Sequence, residues 1–306
     1  MSAAPASGLV LALGGAIAYG LNIIYARMAA AVGISGTSIV FYRVLLILVL
    51  IGAVAALTRR ALAVAPSERG LLAVLGLSST LVGVCYLSSV TFIPVTVAVA
   101  IFYTYPVLIV LANPLVEGRR LDAGSLGIVF CAFAGVFLVV GPAFQGLDPR
   151  GVLLAATASV ATAVQFFAGA RARRTSVPAK AFWINAMVLP VTVGIGALLG
   201  GLDGPADLAL APAAMTLGIA FFVVGFFLQF AALARASAVV TGLAFCAEPV
   251  VAALGSAILL RERLGPVQIA GSALVLASII ANVVLDHRRR SSGRLSAAAS
   301  IENAPT

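Results

Sequence analysis

Ala238–Leu260 reads AVVTGLAFCAEPVVAALGSAILL. The run is apolar for longer than a bilayer needs, since about 20 residues at 1.5 Å rise cross a hydrocarbon core of ~30 Å. Glu248 sits at its middle, followed at once by Pro249. A carboxylate at that depth is costly, so it faces a bundle interior or a water-filled cavity rather than lipid. The proline lacks a backbone N–H and disturbs the preceding turn. Freed carbonyls beside a carboxylate make a polar spot that lipid cannot reach. One reading is a solute or proton site. The other is a structural Glu that only hydrogen-bonds a neighbouring helix. Both stay open on this stretch alone.

The remaining chain has the same character. Of 306 residues, 62% are hydrophobic and only 9% charged. A soluble domain carries about 25% charged residues, so the composition describes a polytopic, all-α membrane protein. The net charge of +9 in a soluble chain points to nucleic acid. Here the arginines fall between apolar runs, where they set orientation, and no nucleic-acid partner is expected. Cys85, Cys131 and Cys246 all lie within apolar runs without disulfide or metal spacing. There is no phosphate-cradling glycine loop and no Ser-His or His-Glu constellation. The reading is therefore no enzyme, no metal and no cofactor. The N-terminal run lacks the basic start of a cleaved signal and is read as a retained first span.

Ten spans are expected, at about 8–26, 38–57, 70–92, 95–116, 123–140, 151–170, 181–199, 213–234, 238–260 and 266–285. The chain also repeats itself. Pro106 and Pro249 lie 143 residues apart (249 − 106). The same offset places Gly8 on Gly151, Asn22 on Gln165, Tyr86 on Gln229, Tyr105 on Glu248 and Arg120 on Arg263. Five spans per half is odd, so the second half must cross the membrane inverted. Inverted repeats place the binding site near the midplane between the halves. The expected division is 8–144 and 151–286 for the repeats, with 287–306 a disordered tail.

With the N-terminus in the cytoplasm, fourteen of the 19 Lys and Arg residues fall inside and four outside, with Arg43 alone within a span. That bias predicts an inner-membrane protein with both termini cytoplasmic. Arg43 is read as snorkelling to the outer interface, with a contact to a solute carboxylate as the alternative. Trp183 is read as an interface anchor. Gly127, Cys131 and Gly135 on the fifth span, and Ala273, Ala277 and Ala281 on the tenth, form small-residue faces. Those faces are expected to pack together or to make a homodimer.

Ala18-Tyr-Gly-Leu-Asn22, Phe41-Tyr-Arg43, Ala247-Glu-Pro-Val250, Arg261-Glu-Arg-Leu264 and Gly271 together resemble the EamA family of the drug/metabolite transporter superfamily. Thr104-Tyr-Pro-Val107 keeps the proline in the first repeat. Arg119 stands where the family's Glu precedes Arg-Leu, and Glu117 lies two residues early. The resemblance implies ten helices in two inverted five-helix repeats. Spans one, three, four, six, eight and nine would line a central cavity. It also implies a secondary transporter, an exporter of small metabolites such as amino acids or drug-like solutes. The expected solute-binding residues are Asn22, Tyr86, Tyr105, Gln165, Gln229 and Glu248, whose amides and phenols both donate and accept hydrogen bonds. Glu248 is the proton-coupling candidate. A non-transporting membrane scaffold or sensor is the alternative.

Overall fold

The computed structural model describes residues 4–118, 123–141, 147–198 and 201–302. Arg119 and Arg120, which bear on the repeat match, lie outside the described residues. Thirteen α-helices follow in order. The first repeat holds α1 (Ala4–Ala31), α2 (Gly36–Thr58), α3 (Arg69–Ser89), α4 (Val95–Phe102), α5 (Tyr105–Glu117) and α6 (Ala123–Val140). The second holds α7 (Pro149–Arg171), α8 (Val177–Leu198), α9 (Pro205–Leu208), α10 (Pro212–Leu233), α11 (Ala238–Phe245), α12 (Ala247–Leu259) and α13 (Pro266–Glu302). Among the described residues, nine segments are long and apolar enough to cross a membrane. The apolar part of α13, Pro266–Asn282, stands where the tenth is expected. Outward-facing Val49, Val54, Leu153, Ile258 and Ile280 are exposed, as lipid-facing side chains must be.

The fourth and ninth spans are each broken in two, which hydropathy does not reveal. α4 ends at Phe102 and α11 at Phe245. Each stop lies four residues before a proline, Pro106 and Pro249. Proline cannot donate to the carbonyl four residues back, and its ring crowds that carbonyl. The breaks obey the offset of 143 that aligns the prolines (245 − 102). The repeat is thus present in backbone geometry as well as in sequence.

Packing follows the same pseudo-symmetry. The most extensive contacts pair α1 with α10 and α3 with α7. These two pairs exchange when the repeats are exchanged. The fifth and tenth spans, α6 and α13, also pack closely. Their contact uses one residue of the expected stripes, Gly135, against Gly271. A Cβ at Gly135 would stand 2.8 Å from the Gly271 carbonyl oxygen, and one at Gly271 would stand 2.7 Å from that of Gly135. A Cβ at Gly127 meets nothing within 4 Å, and Cys131, Ala273, Ala277 and Ala281 are exposed. Four-residue spacing selects a helix face but not its neighbour, and of the expected residues Gly135 makes the contact. The expected homodimer through these helices finds no support.

The tail also differs from expectation. Backbone helix continues through 287–302, where a disordered segment is expected. The run Ala297–Ala299 and its arginines are strong helix formers.

Polar contacts tie the connection between α2 and α3 to the start of α8, and the start of α2 to the loop after α8. At one end the Glu68 carboxylate accepts the backbone N–H groups of Arg174 and Thr175, each at 2.7 Å. Thr175 Oγ1 in turn accepts the N–H of Ala65 at 3.2 Å. Trp183 Nε1 donates to the Leu62 carbonyl at 2.9 Å, which gives the expected interface anchor a fixed partner. At the other end Asp203 Oδ2 accepts the N–H of Ser35 at 2.8 Å. The N–H of Asp203 donates to Ser38 Oγ, and Tyr42 donates to the Asp203 carbonyl, both at 2.8 Å. The Ser35 N–H holds the Asp203 carboxyl below its ordinary range. Under exchange of the repeats, the loop after α2 corresponds to the loop after α8. The loop after α7 likewise corresponds to the loop after α1. One clasp is the inverted copy of the other.

Candidate functional site

The two breaks lie deep in the bundle, and the polar residues gather around them. α12 begins at Ala247, so Glu248 stands in the first turn of a half-helix. Free N–H groups and the helix dipole there favour negative charge. The Tyr103 hydroxyl lies beside the Glu248 carboxyl. Tyr103 is the residue that closes α4. The acid of one broken helix therefore stands beside a phenol from the other. α1 comes close beside them: a Cβ on Gly20 would lie 2.8 Å from the Glu248 carbonyl oxygen and 2.7 Å from Val251 Cβ. Only glycine lets α1 approach α12 at this level.

A second set of polar groups links four helices. Tyr19 on α1 donates to Gln229 Oε1 on α10 at 3.0 Å. Gln229 Nε2 reaches Gln165 Oε1 on α7 at 3.5 Å, a weak bond at that length. Gln165 Nε2 donates to Ser79 Oγ on α3 at 2.6 Å. Each amide uses both its donor and its acceptor, so the row has a direction running from Tyr19 to Ser79.

Aromatic rings join the two sets. Tyr19 lies 5.5 Å from Phe222 and 5.9 Å from Phe245, centroid to centroid. Phe245 meets Phe166 at 5.6 Å, and Phe166 meets Tyr105 at 5.3 Å. Tyr105 and Tyr103 both pack on Phe102, as does Tyr86 at 5.3 Å. Phe102 and Phe245, the repeat-related last residues of α4 and α11, thus each seat a cluster of rings.

The structure brings Gln165 and Gln229 together as a bonded pair and sets Tyr86 one ring away from Tyr103. Tyr105 is 2% exposed and is held by rings. Asn22 is buried on α1, and its Oδ1 has no hydrogen-bond partner. Residues of spans one, three, four, six, eight and nine meet here. Three contributors escaped the sequence reading. Tyr103 is among none of the expected site residues, yet its hydroxyl lies beside the acid. Tyr19 and Ser79 carried no signal beyond being polar on apolar helices. Thr157 and Thr162 donate to carbonyls of their own helix. Ser159 instead pairs with Thr104 Oγ1 at 2.8 Å across helices.

Arg43 does not snorkel. It lies seven residues into α2, and its guanidinium carbon stands 3.9 Å from the centroid of the Phe222 ring on α10. The helix face, not the distance to the helix end, decides where the side chain goes. Its Nε is buried without a hydrogen-bond partner.

The sequence profile of the EamA-like transporter family matches residues 6–141 and 149–284. The two matches meet the two halves expected from the offset. No protein of curated function matches the sequence at a significant level. One solved crystal structure is similar over 93% of this chain and 98% of that one, with a TM-score of 0.73 and 20% identity. That likeness concerns the fold.

Proposed function

Because the chain belongs to the EamA-like transporter family, we propose that it is a secondary transporter exporting small organic metabolites, such as amino acids or drug-like solutes, by alternating access. The reading extends to a proton carried by Glu248. It places the protein in a bacterial-type inner membrane, and the arginine bias supports cytoplasmic termini. One observation carries the reading. A single carboxyl, Glu248, stands at the break of α11–α12 and is met by Tyr103 at the equivalent break of the inverted repeat. Broken helices facing each other at the midplane are the places where such repeats bind solutes and coupling ions. An acid set against a phenol across the repeat interface feels any rocking of one repeat against the other. That links its protonation to the face that is open. The Tyr19–Gln229–Gln165–Ser79 row supplies donors and acceptors for solute beside it.

The test is solute accumulation in proteoliposomes with and without an imposed pH gradient. Glu248→Gln keeps the shape and mimics the protonated acid. It should fold, lose accumulation driven by pH, and retain part of solute exchange. If the Gln variant still concentrates solute on pH alone, Glu248 is a structural hydrogen-bonding group. If the unaltered protein moves no solute at all, the scaffold or sensor reading takes its place.

A further inference from the structure

We propose that Arg43 is a subsite for a carboxylate on the solute, so that the transported class consists of organic acids and amino acids rather than neutral molecules or simple amines. The inference rests on the transport reading and deepens it. Arg43 carries a charge into the interior of the bundle, with its guanidinium stacked on Phe222 at 3.9 Å. Phe222 touches Tyr19, the first member of the polar row. The cation thus borders the candidate site. Its counter-charge is missing. The Arg43 Nε is buried and unpartnered. Described carboxylates are committed elsewhere: Glu248 to Tyr103, Asp203 to Ser35, Glu68 to Arg174 and Thr175, and Glu262 to Arg27 at 2.8 Å.

A buried guanidinium without an anion is costly, and a ring face offsets only part of that cost. The ring covers one face of the plane, and the Nε at its edge has no partner. That edge is a fork matched to the two oxygens of a carboxylate. Arg27 shows the contrast within this chain, because its guanidinium is already filled by Glu262 and Ser256. Phe222 against Arg43, followed by Tyr19 and then Phe245, supplies an apolar wall for the remainder of such a solute. Tyr19 lies in the electrostatic field of both Arg43 and Glu248. An α-amino acid between them would present its carboxylate to one and its ammonium to the other.

The test uses the purified full chain in detergent, with ligand-induced thermal stabilisation and equilibrium binding as readouts. The probes are the standard L-amino acids and the amines left by their decarboxylation. At least one amino acid should bind the unaltered protein, and its amine should bind on the order of 30-fold more weakly or worse. Arg43→Gln should erase that difference. Arg43→Lys, which keeps the charge but loses the fork, should fall between and carries the test if the Gln variant does not fold. Equal binding of acids and amines overturns the subsite, as does an unchanged preference in both variants or no binding of any amino acid. Flux of amines with unchanged Arg43 variants removes this inference and leaves the transporter standing. Carboxylate-selective binding without flux in proteoliposomes does the reverse.

Discussion

α4–α5 and α11–α12 are one broken helix built twice, with different side chains at the breaks. Both stop four residues before a proline, and both end on a phenylalanine that seats a cluster of rings. Past the break, the first repeat presents Tyr103 and Tyr105, and the second presents Cys246 and Glu248 at the equivalent places. The backbone is symmetric and the chemistry is not. A symmetric pair of carboxylates would repel each other across the interface. One acid facing one phenol removes that conflict and leaves a single titratable group for both faces to share.

Exchanging the two residues tests that asymmetry most severely. The double variant Tyr105→Glu with Glu248→Tyr keeps composition and backbone symmetry. It should show no accumulation driven by pH in proteoliposomes. A carboxyl at 105 would have as its opposite number Cys246, a weak donor, instead of Tyr103. Recovery of coupled transport by the exchange would mean that backbone symmetry suffices and the phenol does nothing. A smaller effect separates the two tyrosines of the first repeat. Tyr103→Phe removes the hydroxyl that lies beside the ionisable group and should lower the coupled rate about tenfold. Tyr105→Phe, whose ring does the packing, should change the rate less than about twofold, because no hydroxyl bond is lost. Equal effects from the two would erase the distinction drawn here.

The smallest effect concerns the clasp at Asp203, away from the breaks. Its folded-state carboxyl is depressed below the ordinary carboxylate range by the Ser35 bonds. The stability it contributes is therefore fully present above the unfolded pKa, ~3.9. That contribution is lost as pH falls through the lower folded value. Asp203→Asn should lower Tm by about 2 °C near neutral pH. The gap to the unaltered protein should close in acid. A gap that persists after protonation would show that shape, not charge, makes the clasp.

Much of this was legible in advance, and the limits were physical. Span number and the inverted repeat followed from apolar run lengths and from Pro106 and Pro249. The breaks were not legible as breaks, because Tyr103 and Cys246 sit in unbroken hydropathy. Gln165 and Gln229 stood out as amides in lipid-sized runs. Tyr19 and Tyr103 did not, since a phenol fills a core as readily as it binds. Arg43 was misjudged because sequence measures depth along a helix, whereas rotation about the axis decides between lipid and interior. Gly127 was misjudged for the same reason, while Gly135 on the same stripe proved to be the contact.

The clasps at Glu68 and Asp203 have a mechanical consequence. α2 and α8 run antiparallel and are tied at both ends through the segments that flank them, like two rails of a ladder with a rung at the top and the bottom. Such a frame tilts as a unit but resists shear, because sliding one rail would strip two carboxylates of their backbone donors together. Whatever conformational cycle this protein performs, the movement that opens one face and shuts the other must then take place between this frame and the helices it borders.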